Sequence, residues 1–423
     1  MNTSVRNWSG NIAYGEASLH TPRRLEELQE IVRAAPKARA LGTRHSFNAI
    51  AATEGALLSL AHLNRVLAID EAARTITVEG GATYRDIVPA LDAAGFALAN
   101  LASLPHVTIA GACATGTHGS GNANPGLAAA VAGVTLVTAS GELVTLDRRD
   151  PRFPGVPVNL GALGIVSAIT LDIVPAYLAR QEVYLGLPFT AFWQDFDSIM
   201  GAGYSVSAFS RWRGDTIDQL WVKSRGDAPA LPDKLAGAPR SARAVPLIPD
   251  PANTAPGELM GDLHPWHSRL PHYPIDAEIP AGAELQTEYF VARADAPAAL
   301  RALHAISSRF APLLQIAEIR TVAADDLWLS PTTGRDSVAL HFAWHPDWPA
   351  VRAVLPEIEA ALAPFAPRPH WGKLFTLPAA AVQAAYPCLA AFRALAADLD
   401  PAGKFRNGFL DPLVFGPPAG NGG

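Results

Sequence analysis

The sequence predicts an α+β fold that is organised as two domains. Its 423 residues exceed what one hydrophobic core usually organises. Hydrophobic residues make up 49% of the chain and charged residues 17%, which is typical of globular proteins, and no tract is biased enough to predict disorder. Strand-like runs alternate with helical patterns in the first 175 residues, which favours a mixed fold.

The first predicted elements are short strands that end at glycine turns, with helices between them. Apolar or alternating runs predict strands over residues 38–41, 57–60 and 74–79. Leu, Ile and Val at helical spacing predict helices over residues 22–35 and 83–94.

Two longer apolar runs, at residues 131–137 and 165–173, predict further strands. Pro175 follows them and is the predicted exit from the first domain. Residues 226–280 are rich in Pro, Gly and Ala, which predicts an ordered but irregular excursion inside the second domain.

Charge and cysteine usage narrow the classes of partner and compartment. The net charge is −6, and no cluster of Lys and Arg occurs that could bind nucleic acid. Cys113 and Cys388 are too few and too scattered for a disulfide framework or a thiolate metal site, which fits a reducing compartment. No signal-peptide pattern is present, and no apolar run reaches the ~18 residues of a membrane span. We therefore expect a cytoplasmic protein that binds neither nucleic acid, membrane nor metal.

The first motif that could bind a ligand or take part in catalysis is LGTRHSFN. It is a glycine turn that places His45 directly behind an apolar strand. A histidine there can face a bound ring or a phosphate. Alternatively, His45 hydrogen-bonds only its own loop, and this motif by itself favours that interpretation.

The second motif is the run from Asn100 to Gly121, which is dense in small and hydroxyl residues. Backbone N–H groups in such a run can wrap a pyrophosphate without any lysine. A flexible linker is the alternative, but Leu104, Val107 and Ile109 are ill suited to a solvated linker. No Rossmann or P-loop pattern occurs.

The third group lies on two predicted strands near residues 314–322 and 338–344. Glu318 and Arg320 are two residues apart, as are His341 and Ala343, so each pair shares one face of its strand. An exposed ion pair between Glu318 and Arg320 is the alternative, and it would contribute only ~0–1 kcal/mol.

A fourth group is His370 and Lys373 in the segment RPHWGKLF. Trp371 and Phe375 beside them indicate a packed neighbourhood. A lysine is rarely buried there unless it pairs with another group, so a functional role is favoured over a surface position.

Taken in order, six segments resemble the bacterial alditol oxidases, also called xylitol or sorbitol oxidases: GTRHSFN, NLASLPHVTIAGACATGTHGSG, AEIRTVA, ALHFAW, RPHWGKLF and DPAGKF. This family belongs to the vanillyl-alcohol-oxidase group of FAD enzymes, alongside the sugar-1,4-lactone oxidases. The resemblance implies an FAD domain formed by residues 1–175 together with a C-terminal segment, 369–423. Residues 176–368 would form a substrate domain with an antiparallel sheet.

The resemblance also implies a covalent bond between His45 and the 8α carbon of FAD. A covalent link prevents loss of the cofactor and raises its electron affinity. The implied FAD contacts are Leu41, Gly42, Thr43, Arg44, His45, Ser46, Phe47, Ser103, Thr108, Gly111, Thr115, Gly116, Thr117, His118, Val166 and His370.

Around the substrate, the resemblance places Ser103, Glu318, Arg320, His341 and Lys373. Arg320 and Lys373 would stabilise the developing alkoxide, and either His341 or Glu318 would receive the hydroxyl proton. Ser103 would orient the hydroxyls of the substrate.

Three further positions bear on specificity and on the electron acceptor. Ala102 matches a small residue near the flavin edge that leaves room for oxygen. Ala343 replaces a threonine that reaches a substrate hydroxyl in the family, which leaves the preferred polyol open. Arg44 stands where the family often has glycine.

The expected activity is therefore FAD-dependent oxidation of a primary hydroxyl of an alditol, with O2 reduced to H2O2. A sugar-1,4-lactone oxidase on the same scaffold is the alternative, and a flavin-binding protein without turnover is a third hypothesis. The expected partners are a small polyol and O2. The sequence leaves the oligomeric state open, and a monomer is compatible with it.

Overall fold

The computed structural model describes residues 5–15, 17–243, 245–247, 261–275, 282 and 284–416. In chain order its strands are β1 Ser18–His20, β2 Ala38–Leu41, β3 Ala56–Ser59, β4 Val66–Asp70, β5 Thr75–Glu79, β6 Phe96–Ala97, β7 Val131–Val137, β8 Leu143–Asp147, β9 Ile165–Asp172, β10 Val174–Pro175, β11 Leu178–Pro188, β12 Ser205–Ser210, β13 Thr216–Arg225, β14 Lys234–Leu235, β15 Ala238–Pro239, β16 His264–Pro265, β17 Leu285–Ala292, β18 Leu314–Val322, β19 Ser337–Trp344 and β20 Arg368–Pro369. Its α-helices are α1 Leu25–Ala34, α2 Tyr84–Ala93, α3 Ile109–Ala114, α4 Phe189–Gln194, α5 Phe196–Met200, α6 Trp266–Arg269, α7 Ala296–Ala305, α8 Ser307–Phe310, α9 Trp348–Leu362, α10 Ala379–Ala384 and α11 Leu389–Leu399.

Three larger sheets and two two-stranded sheets, β10-β6 and β14-β15, organise these strands. A small parallel sheet has the order β1-β3-β2, and a five-stranded antiparallel sheet has the order β4-β5-β9-β7-β8. The third sheet is antiparallel with eight strands, in the order β16-β11-β13-β12-β18-β19-β17-β20. The strands and helices predicted in the first 175 residues are confirmed to within a few residues at their ends.

Local sequence explains why these elements begin and end where they do. For example, Thr83 caps α2 through a capping box with Asp86, which satisfies backbone N–H groups that the first helical turn leaves free. In the predicted excursion, residues 244, 248–260 and 276–280 lie outside the described residues. The described remainder contains the short elements β14, β15, β16 and α6.

The eight-stranded sheet is buried on both faces. One face packs against α4, α7 and α9 through apolar side chains such as Ile319, Leu340 and Phe342. The alternate residues of β17, β19 and β18 point to the other face, where Glu288, His341 and Glu318 are direct cross-strand neighbours. The two strands predicted at 314–322 and 338–344 are thus confirmed, and their polar face is enclosed rather than solvated.

The C-terminal segment returns to the N-terminal strands. Nη1 of the buried Arg39 on β2 donates to the carbonyls of Gly161 and Phe405, at 2.9 and 2.7 Å. One apolar core contains residues of α2, β9, α10 and α11, and a second core belongs to the eight-stranded sheet and its helices. The division at residues 175 and 369 stays a prediction, because the first core also contains Trp266, Leu270, Leu327 and Leu329 from the predicted substrate domain.

Candidate active site

A single cavity of about 820 Å³ lies between the N-terminal sheets and the polar face of the eight-stranded sheet. All four sequence motifs reach it, although Leu41 and Lys373 are 332 residues apart. Its volume is in the range of ligand pockets. The predicted residues that line it are Leu41, Gly42, Thr43, Arg44, His45, Ser46, Phe47, Ser103, Thr108, Gly111, Thr115, Thr117, His118, Val166, Glu318, Arg320, His341, His370 and Lys373.

Two predicted residues, Gly116 and Ala343, are not in the cavity wall. Gly116 has a φ of +71°, and a Cβ there would lie 2.7 Å from Cδ of Pro331, so the turn needs glycine for its backbone. Ala343 packs beside Phe209 and Ile316, which do line the cavity.

One part of the cavity wall is formed by the loop of residues 43 to 46, whose backbone N–H groups are free to bind a ligand. These N–H groups make no hydrogen bond to the described residues. A Cβ at Gly42 would lie 2.5 Å from Oγ1 of Thr108, so glycine lets the first motif approach Thr108 of the second motif closely. A Cβ at Gly111, within the second motif, would lie 2.7 Å from the same atom. Successive free N–H groups form an anion-binding concavity, which suits a pyrophosphate and needs no lysine. The loop therefore fits the phosphates of FAD.

His45 lies in this loop with its ring 5.1 Å from that of Trp8. Burial, His106 and Arg44 lower the pKa of His45 to about 4. The imidazole is therefore neutral at pH 7 and retains a nitrogen lone pair.

Arg44 adopts a φ of +67°, in the left-handed region that favours glycine. We expect Arg44→Gly to stabilise the protein by about 0.5–1 kcal/mol, because the left-handed cost of about 1–2 kcal/mol exceeds the entropic cost of glycine. A thermal melt followed by circular dichroism should rise by about 1–2 °C. Arg74, with a φ of +53° and an exposed side chain, is the matched control, and its glycine variant should shift the melt in the same direction. A lower melting temperature for Arg44→Gly would contradict the argument.

A second part of the cavity wall holds a network of buried charges. Arg320 donates from Nη1 to Oγ of Ser103 at 3.2 Å and from Nη2 to Oε1 of Glu288 at 3.3 Å, and its Nε is 3.4 Å from Oε1 of Glu318. Lys373 donates from Nζ to Oε2 of Glu288 at 2.8 Å, and its Nζ lies 2.8 Å from Nδ1 of His341. The ammonium form of Lys373 donates to both partners and keeps one N–H for a ligand, and the neutral amine, which accepts from Nδ1 of His341, also keeps one.

Glu288 joins the two cations and was not predicted. Its side chain has no solvent exposure, and Nε2 of His118 lies 3.2 Å from its Oε1. Burial by itself raises the pKa of Glu288, but Lys373, His118 and Arg320 outweigh burial and hold that pKa well below its usual range. The alternation of polar and apolar residues in LQTEYF was the available signal, since it places Gln286 and Glu288 on one face of a strand.

The two residues predicted to compete for the hydroxyl proton differ in their surroundings. Burial raises the pKa of Glu318, but Arg320 and His272 lower it far more, so the carboxyl stays ionised. Burial and the neighbouring Lys373 lower the pKa of His341 to about 3, so its ring is neutral. Because Nδ1 of His341 meets Lys373, Nε2 is the nitrogen left for a ligand.

His272 and Tyr273 also line the cavity beside the network of buried charges, and neither was predicted. Nε2 of His272 lies 2.7 Å from Oε1 of Glu318. They belong to the excursion that was expected to be irregular, and no periodic signal marks them.

Among the described residues, no group of three His, Cys, Asp or Glu side chains is arranged to hold a metal ion. Within the same residues, no helix combines the length and apolarity that crossing a membrane requires.

Comparisons with known proteins bear on the cofactor and on the family of this chain. A family model described as FAD binding domain matches residues 17–147, and one described as D-arabinono-1,4-lactone oxidase matches residues 283–413. The chain is 47% identical to an alditol oxidase of Streptomyces sp. strain IKD472, over 98% of this chain and 100% of that protein. It is 29% identical to L-gulono-1,4-lactone dehydrogenase of Mycobacterium tuberculosis, over 97% of this chain and 99% of that protein.

Solved structures give the fold. A solvent-stable cholesterol oxidase superposes with a TM-score of 0.79 at 19% identity, covering 97% of each chain. Cholesterol oxidase from B. sterolicum superposes with a TM-score of 0.77 at 17% identity, covering 97% of this chain and 96% of that chain. The predicted fold class is confirmed. The full-length match at 47% identity, together with the FAD-binding domain, shows that the chain belongs to the alditol oxidase family and is an FAD-dependent oxidase.

Proposed function

We propose that the protein oxidises a primary hydroxyl of an alditol such as xylitol or sorbitol to the aldehyde level and reduces O2 to H2O2. The observation that carries this proposal is the pair of buried basic side chains, Lys373 and Arg320, which both contact Glu288 in the wall of the same cavity that the loop of residues 43 to 46 lines. The guanidinium of Arg320, and the ammonium that Lys373 becomes when it receives a proton, can stabilise an alkoxide as it forms.

FAD would be held by the free N–H groups of residues 43 to 46 and by the small residues of the second motif, with a covalent bond to His45. The neutral imidazole of His45 supports that bond, because a lone pair is needed for attachment. When bound, FAD accepts the hydride from the alcohol carbon. The buried methyl of Ala102 lines the same cavity and leaves space for oxygen.

The polyol would be oriented by hydroxyl contacts with Ser103 and Glu318. Glu318 uses one carboxylate oxygen, Oε1, for both His272 and Arg320. Its second oxygen, Oε2, is therefore available to accept a hydrogen bond from the substrate. An ionised carboxylate with so low a pKa is a good acceptor of hydrogen bonds and a poor acceptor of protons.

The hydroxyl proton would therefore go to His341 rather than to Glu318. With Lys373 neutral, the proton moves from the substrate to Nε2 of His341, and the Nδ1 proton moves to Nζ of Lys373. The ammonium that results lies 2.8 Å from Glu288, which stabilises it. Burial lowers the pKa of Lys373 and makes its neutral form accessible, while Glu288 opposes that effect.

The test is H2O2 release by the purified protein against a panel of alditols, aldonolactones and simple alcohols. We expect the highest efficiency with alditols. The lactone oxidase model, which matches the segment from 283 to 413, supports sugar-1,4-lactone oxidation as the second candidate. Higher efficiency with lactones than with every alditol would favour that candidate.

The compartment is also a proposal. Cys113 and Cys388 are both free cysteines, which fits a reducing environment, and we propose the cytoplasm.

Ala343→Thr tests the origin of polyol preference. A threonine there would stand beside Gln286 and Ile316, its cross-strand neighbours, which line the cavity. One neutral hydrogen bond contributes ~0.5–1.5 kcal/mol, so we expect the catalytic efficiency on xylitol or sorbitol to rise by ~2–10-fold. Steady-state kinetics on both polyols and on shorter alditols measure this.

Ala343→Val is the matched control, because valine has the shape of threonine without the hydroxyl. We expect no gain from valine and unchanged flavin content in both variants. Loss of activity on all alditols in the threonine variant would contradict the prediction and strengthen the lactone hypothesis.

A further inference from the structure

We propose that His272 is a positioning residue for polyol recognition, which holds Glu318 through its ring and Ser103 through its backbone. This inference rests on the proposed function. It gives a role to a segment, residues 270–273, that carries none of the recognised motifs.

The ring of His272 has a polar contact at each nitrogen and two aromatic rings packed against it. Nε2 lies 2.7 Å from Oε1 of Glu318, and Nδ1 lies 3.4 Å from Nζ of the buried Lys223. The rings of Phe209 and Trp221 pack against it with centroid distances of 5.5 and 5.4 Å. The side chain therefore has little freedom to leave Glu318.

These contacts determine where the imidazole carries its proton. An ionised carboxylate only accepts hydrogen bonds, so Nε2 must donate to Glu318. The ammonium of Lys223 only donates, so Nδ1 must accept. Burial, with help from Lys223 and Arg320, outweighs Glu318 and lowers the pKa of His272, so the ring is neutral and its single proton lies on Nε2.

The backbone of the same segment holds the second polar contact of the substrate. The N–H groups of His272 and Tyr273 both donate to the carbonyl of Ser103, at 3.0 and 3.3 Å. Lys223 in turn donates to the carbonyls of Leu270 and Pro271, at 2.7 and 3.1 Å. The segment thus links Ser103 and Glu318, which lie 215 residues apart in the sequence.

The contacts of His272 should affect substrate binding more than the rate of the chemical step. With Oε1 of Glu318 held by His272 and Arg320, Oε2 is presented to the substrate in one orientation. Lys373 and His341, which act on the reacting hydroxyl, do not contact His272 in the hydrogen-bond network described above. Loss of the His272 ring should therefore weaken substrate binding and leave the limiting rate of the chemical step nearly unchanged.

The experiment compares His272→Phe with His272→Gln in the flavin-loaded enzyme, using xylitol. We expect phenylalanine to raise KM by ~10–100-fold, the scale of one hydrogen bond to a charged group, with the limiting rate of anaerobic flavin reduction within ~3-fold of wild type. Glutamine retains a donor and should recover most of the loss. Lys223→Met should raise KM in the same direction by a smaller factor, because it removes the contacts of Nζ with Nδ1 of His272 and with the carbonyls of Leu270 and Pro271 but retains the ring.

His304→Gln is the matched control. That histidine also packs among aromatic rings, those of Phe189, Trp193 and Trp212, but it does not line the cavity. Its KM should match wild type. If the phenylalanine variant fails to fold or to bind flavin, Lys223→Met carries the test.

The inference is overturned if KM changes less than twofold in His272→Phe, or if glutamine gives no recovery. The same holds if Lys223→Met leaves KM unchanged when it has to replace the phenylalanine variant. Absence of polyol oxidation by wild type would overturn the proposed function and this inference together, and wild type alone reveals that case.

Discussion

Lys373→Arg should slow the anaerobic reduction of the flavin by xylitol by ~10²-fold or more, although it retains a positive charge. In the proposed reaction the neutral amine of Lys373 accepts the Nδ1 proton of His341, and a guanidinium cannot lose a proton to become such an acceptor. General base catalysis contributes ~10²–10⁴-fold, which sets the expected loss. Stopped-flow absorbance of the flavin measures it directly.

The pH dependence gives a second readout of the same residue. In wild type the reduction rate should rise with pH as the pair of Lys373 and His341 loses a proton. Because burial lowers the pKa of Lys373 from its ordinary value of 10.5, this rise should be centred below pH 10.5. The arginine variant should lack the rise.

Lys373→Met and Lys37→Arg are the comparison variants. Methionine removes both charge and base, so its loss should equal or exceed that of arginine. Lys37 donates to the carbonyl of Gly403 outside the cavity, and its arginine variant should behave as wild type. If Lys373→Arg retains a rate within tenfold of wild type while methionine does not, Lys373 acts only as a cation and the proton relay is wrong.

His45→Ala should abolish covalent attachment of the flavin. Wild-type protein precipitated with acid is expected to remain yellow, whereas the alanine variant should release all its flavin into the supernatant. The physical reason is that alanine offers no nucleophile, whereas the neutral ring of His45 retains a lone pair at pH 7. Absorbance of pellet and supernatant at the flavin maximum measures the partition.

His62→Ala is the control for this prediction, because His62 is exposed and does not line the cavity. Its flavin should stay with the pellet. Complete release of flavin from wild type by acid would show that no covalent bond forms, and His45 would then be at most a contact residue.

The sequence by itself determined the elements whose patterns are local. The apolar runs at β2, β7 and β9, the capped helix α2 and the alternation of β18 all follow from residue spacing within a few turns or strand positions. It also indicated the chemistry, because the glycine turn at His45 and the dense run of small residues favour close approach of backbone to a ligand. The family resemblance rests on these same segments.

Only the tertiary structure decided which ionisable side chains contact each other in the site. Glu288 lies directly across from His341, and His341 from Glu318, because of the register between three strands whose residues are separated by up to 53 positions. A shift of that register by one residue would move the polar side chains to the opposite face, and nothing in a local pattern specifies it.

The same holds for His272, which reaches Glu318 from an irregular segment, and for Ala343, which shares the face of His341 and packs beside Phe209 and Ile316 without lining the cavity. Residue types indicate which chemistry a site can perform. The pairing of buried charges depends on long-range packing, since a charge enters a low-dielectric interior only where a partner from another element meets it.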